Sequence, residues 1–190
     1  MRRLLPMLLA WASLLVAPVA AQETPWIAPG GAYGLNYENT DWVTVPNRSA
    51  ADPTVLRLAP RNFDPTAPRL CSARHYQLNP GPGWETAFAQ WSRESADQVS
   101  VQNAAQMFSL PGGRVDRVEH ADVGDTRVAD VYMVGVPLGG LNFNIRYRVF
   151  AIRGVSGPIM VQLDCRASQA LGPDVFAGLD SILNSLRIPG

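Results

Sequence analysis

Three long strand-like runs, 126–136, 141–152 and 158–165, are joined by short glycine-containing links at 137–140 and 153–157. Links this short join antiparallel neighbours, because a parallel crossover needs a dozen or more residues. The chain must therefore build its core on an antiparallel sheet. In the middle run Leu141, Phe143, Ile145, Tyr147 and Val149 alternate with Asn142, Asn144, Arg146 and Arg148. A period of two places the first set on a buried face and the second on a polar one. On the next run Ile159, Val161, Leu163 and Cys165 take the apolar face, and Met160, Gln162 and Asp164 the other. If Ile152 stands opposite Pro158, the two patterns match, with Arg146 opposite Asp164 and Ile145 opposite Cys165. Asp130, on the preceding run, is a candidate to flank Arg146 from the other side. Asn142, Asn144, Arg146 and Arg148 are the candidate binding residues on this face, and the two arginines have two readings. The ordinary one is a ladder of cross-strand ion pairs, each contributing ~0.2–1 kcal/mol. The sharper one is a cationic patch that binds an anionic partner.

Helical signals stand on either side of these strands. After the breaker Asn79-Pro80-Gly81-Pro82-Gly83, residues Trp84, Ala87, Phe88, Trp91 and Ser95 recur at helical spacing. This predicts an amphipathic helix over 84–98. Its aromatic stripe is read as core packing against the sheet, with a ligand platform as the rarer alternative. A second amphipathic helix is expected over 173–188, with Phe176, Leu179, Ile182, Leu183 and Leu186 on one face and Pro173 in its first turn. Shorter strands are expected at 33–37, 41–45, 55–58, 70–77 and 115–120. Residues 100–110 fit a helix or a strand equally well. The stretch 22–32 reads as an irregular lead-in, and 33–190 as a single α+β domain: an antiparallel sheet with a central and a C-terminal helix packed on it.

The N-terminus has the three parts of an export leader: Arg2 and Arg3, an apolar run over 4–19, and Val19-Ala20-Ala21 before polar Gln22. Cleavage after Ala21 is expected, which removes 1–21 as a signal peptide. Pro18 shortens the run below what a spanning helix needs, and no later segment is long and apolar enough to cross a bilayer. The expected location is periplasmic or extracellular, with a mature chain that is soluble. In such an oxidising compartment the two cysteines, Cys71 and Cys165, are expected to form a disulfide rather than two buried thiols. With 47% apolar and 17% charged residues and zero formal charge, the chain is neither disordered nor a default nucleic-acid binder.

Tyr33-Gly34-Leu35-Asn36-Tyr37 followed by Trp42, a central helix, the run GDTRVADVYM at 124–133, two more long strands and a closing SILNSLRI at 181–188 resemble the PsbP-like superfamily. The resemblance covers about 33–188 and implies an α/β/α sandwich whose members mostly bind or assemble without catalysis. The proline-rich stretch 46–68 and the cysteine pair lie outside that pattern.

Catalytic signals are thin. Gly154-Val155-Ser156-Gly157 lacks the spacing of a nucleophile elbow. His75 and His120 sit in no readable triad, and the absence of C-x-x-C argues against zinc. Asp116, Glu119, His120, Asp122 and Asp125 form either a cation site or a solvated hairpin tip, and the EF-hand spacing is absent. Asn47-Arg48-Ser49 fits a glycosylation acceptor. The sequence thus points to a non-catalytic binding or assembly module without a cofactor, whose partner is another envelope protein reached by a sheet edge or the polar strand face. Its rivals are a small hydrolase with a spatially assembled site around His75 or His120, and a binder of small anions using Arg146 and Arg148.

Overall fold

The computed structural model describes residues 25–37, 40–46, 53–79, 81–107, 112–172 and 175–189. The expected leader over 1–21 and the expected acceptor Asn47-Arg48-Ser49 lie outside them. A small hairpin opens the fold, β1 (Trp26–Ile27) against β2 (Gly34–Leu35). The expected irregular lead-in thus already carries a strand. Gly34 is required there, because a Cβ would stand 2.9 Å from the Trp26 carbonyl oxygen.

Then follow β3 (Trp42–Thr44), β4 (Thr54–Pro60), β5 (Arg69–Gln77), α1 (Trp84–Asp97), α2 (Val101–Met107), β6 (Arg114–Val123), β7 (Thr126–Leu138), β8 (Leu141–Gly154), β9 (Gly157–Ser168), a short 3-10 turn and α3 (Val175–Asn184). Residues 100–110, equally consistent with helix or strand, contain α2. Ser100 opens it, its hydroxyl accepting from the Asn103 N–H at 3.1 Å. The chain leaves the sheet after β5 and passes through both helices. It re-enters at the far edge as β6 and winds back until β9 pairs with β5. The result is one seven-stranded antiparallel sheet, ordered β3-β4-β5-β9-β8-β7-β6. The β7–β8 link is Gly139-Gly140, with φ of 58° and 84°. Two left-handed residues in succession suit the right-handed twist of a tight hairpin.

The register of β8 against β9 differs by one residue from that expected. The link is not 153–157 but Val155 and Ser156 alone, with Gly154 opposite Gly157 and Ile152 opposite Ile159. Because the side-chain period is two, the slip changes which residues share a face. Arg146 stands opposite Cys165, Tyr147 opposite Asp164 and Ile145 opposite Arg166. The Arg146–Asp164 ladder is therefore not formed.

Both sheet faces are covered, at least in part. On one, Leu179, Ile182 and Leu183 of α3, with Leu186 beyond it, pack with Tyr33 and Leu35 against Phe150, Val161, Leu163 and Cys165. Fully burying a side chain such as Leu183 contributes ~1.5–3 kcal/mol. Cys71 and Cys165 oppose each other across β5 and β9 on this face and are joined in a disulfide. On the other face Val99 and Ala104, from the α1–α2 segment, pack against Ala129, Val131, Met133, Ile145, Tyr147 and Val149. The architecture is α+β, an antiparallel sheet between helices. Among the described residues no helix is long and apolar enough to cross a membrane.

Candidate functional site

Arg146 and Arg148 lie on the α3 face, each only 5% exposed. Asp130 lies beside Arg148 on β7 and serves both guanidiniums. Arg148 donates to it from Nε and Nη2, each at 2.8 Å, and Arg146 donates from Nη2 at 2.8 Å. Arg148 Nη1 reaches the Leu183 carbonyl at 2.6 Å, and Arg146 Nη1 bonds Asp180 of α3. The planar fork of arginine makes such shared, bidentate contacts possible. Burial alone would raise the Asp130 pKa, but the two guanidiniums outweigh it and hold the carboxyl below its ordinary value. Two arginines thus meet two carboxylates beneath a helix. The other two residues on this strand face do not join them. Asn144 accepts from Gln169 Nε2 at 2.9 Å, and Asn142 is exposed near the β7–β8 turn.

The histidines are engaged elsewhere. His75 Nε2 lies 2.8 Å from the buried Tyr33 hydroxyl, and burial lowers its pKa. His120 Nε2 lies 3.1 Å from the Ala96 carbonyl oxygen at the end of α1. In the acidic run Asp116 pairs with Arg114 and Arg117, Glu119 with Arg117, and Asp122 with Arg93 and Arg127. Among the described residues no three His, Cys, Asp or Glu side chains gather as metal ligands would.

The aromatic stripe of α1 does not enter the core, contrary to the packing expected of it. Ala96 is the one buried residue of that helix, while Trp84, Phe88 and Trp91 are only partly buried. Helical spacing defines a stripe without defining what lies beneath it. Here the start of α1 sits near the β8–β9 turn rather than over the sheet centre. The three rings stand in sequence, with Trp84–Phe88 and Phe88–Trp91 centroids 6.1 and 6.0 Å apart. With Leu78, Pro82 and Pro158 they line a groove of about 460 Å³. Arg153 lies over the Phe88 ring at 4.9 Å. A second cavity, about 320 Å³, opens between the helices and the sheet beside Gln98, Val99, Asn103 and Met160. A third, about 250 Å³, lies on the same sheet face over β4, β5 and β9.

Fold and site describe an antiparallel sheet between helices, with open cavities on the face that α3 does not cover. No protein-family model and no curated protein matches the chain. Among solved structures the chain is similar to LpqN of Mycobacterium tuberculosis, described as involved in cell envelope biogenesis. The TM-score is 0.52 at 14% identity, over 83% of each chain. At that identity the likeness shows a shared fold. The cyanobacterial PsbP of Synechocystis sp. PCC 6803 also matches, with a TM-score of 0.47 at 11% identity over 87% of this chain and 92% of the other.

Proposed function

We propose that the chain is a non-catalytic binding module of the bacterial envelope, exported by its leader, that holds another envelope protein in the aromatic groove of α1. The groove carries this reading. Trp84, Phe88 and Trp91 line the groove with large rigid rings that remain partly exposed, and Pro82 and Pro158 lie in the same wall. Partly exposed tryptophans of this kind dominate binding energy at interfaces because they offer large area at little entropic cost. The edge strand β6 is a poorer route. It carries Asp116, Arg117, Glu119 and Asp122 and a register irregularity at Val115–Arg117, both features that oppose strand addition. The disulfide supports a location outside the reducing cytoplasm. The involvement of LpqN in cell envelope biogenesis agrees with this setting.

A photo-crosslinking residue at exposed Ala87, in the groove wall, tests the reading in cells. The expected result is one discrete adduct with an envelope protein, lost when Trp84 and Trp91 are both replaced by Ala. No adduct from Ala87, or an adduct unaffected by those replacements, overturns it.

A further inference from the structure

The third cavity differs from the groove in chemistry. Its wall is formed by Arg57, Phe63, Leu70, Ser72, Arg74 and Arg166. Strand pairing explains the gathering. Arg57 stands opposite Ser72 on β4 and β5, Leu70 opposite Arg166 and Ser72 opposite Asp164 on β5 and β9. All therefore project from the face that α3 does not cover. Asp164 is the carboxylate at the centre, and its side chain is wholly buried. Arg166 grips it from Nη2 and, at 3.3 Å, from Nε. Arg74 Nη1 stands 3.6 Å from the same carboxylate.

The two arginine clusters, one on each sheet face, thus differ in charge balance. Beneath α3, two arginines meet Asp130 and Asp180 and the charges cancel. Here Arg74 and Arg166 share the single charge of Asp164. Both keep about a quarter of their side-chain surface exposed, 25% for Arg74 and 24% for Arg166. Burial works against charge on Arg166, and Asp164 more than offsets it, so the guanidinium stays protonated. A positive charge left over in a walled cavity is focused by the low-dielectric surroundings and attracts anions. Phe63, 49% exposed, supplies an apolar surface at the same site.

We infer that this cavity binds a small ligand carrying one oxyanion, a carboxylate or a phosphate monoester, on a flat apolar body that rests on Phe63. The oxyanion meets the outward N–H groups of Arg74 and Arg166, whose forks match both anions. The volume, about 250 Å³, exceeds the roughly 150 Å³ that accommodates a benzene ring, which leaves room for the charged group. This site is separate from the α1 groove and does not depend on that reading.

The test titrates the mature, disulfide-bonded protein with benzoate, phenyl phosphate and neutral benzamide, followed by two-dimensional amide NMR. Saturable shifts around β5 and β9 are expected with at least one anion, weakening as salt is added, and no matching shifts with benzamide. The tighter anion identifies the oxyanion class. Arg74→Gln should weaken binding about tenfold or more, the loss of one charge-assisted hydrogen bond, and Phe63→Ala should also weaken it. Both side chains are partly exposed, so these variants should keep the fold even where Arg166→Gln does not. The inference fails if neither anion gives saturable shifts, if benzamide binds as well, or if Arg74→Gln binds like the parent.

Discussion

Loss of Asp130 should weigh heavily on the fold. Its carboxylate anchors two buried guanidiniums at once, and Arg146 Nε is already buried without an acceptor. Asp130→Asn would leave both arginines short of a counter-charge. A loss of about 3–5 kcal/mol is expected in urea unfolding, the range for breaking a buried pair from one side. Arg146→Ala, by the same logic, should cost more than the small loss expected of a rim pair with Asp164. The pH dependence follows from the depressed pKa of Asp130. Its contribution is complete above the ordinary carboxylate range, near pH ~4, and declines as pH falls through the lower folded value. An acid titration of stability should therefore lose less in Asp130→Asn than in the parent. The alternation that exposed Arg146 and Arg148 was legible in the sequence. So was Asp130 as a flanking carboxylate for Arg146, and the 2.8 Å contact bears it out; its place directly opposite Arg148 was not legible, because that depends on register. A register shift between Met133 and Val136, around Gly135 with φ of 69°, offsets β7 against β8, and no spacing in the sequence marks it.

Among the elements, β5 and β9 are tied covalently where Cys71 faces Cys165. The bond closes a sequence separation of 94 residues, and replacing both cysteines with Ala should cost about 2–5 kcal/mol. Chemical unfolding of the double variant checks the magnitude. Thiol counting on the denatured parent should find none free. The long strands were legible because a period of two with glycine links has few other meanings. Residues 101–107 were not, since their identity as a helix rests on the Ser100 cap and on Ala104 meeting the sheet core. The aromatic stripe of α1 marked a helix correctly but misled about burial. Its placement depends on the β5-to-β6 crossover, whose path local sequence does not encode.

At the scale of the whole molecule, the sheet ends in two dissimilar edges. β3 contributes three residues, too few to template a partner. β6 is ten residues long and defended by charge, with Arg117 bonded to Glu119 at 2.8 Å. Replacing Arg117 and Glu119 with Val should convert this edge into a self-pairing surface. Light scattering after size exclusion is expected to show dimers or larger species in the double variant that the parent lacks at the same concentration. The attachment of α1 is lopsided. Its last turn is held by buried Ala96, the Asp97–Arg127 pair and His120, whereas its first residue follows Gly83, which offers no side-chain cap. Deuterium should accordingly enter the amides near Trp84 sooner than those near Ala96, a gradient along one helix that would let the tryptophan end part from the sheet while the far end stays fastened.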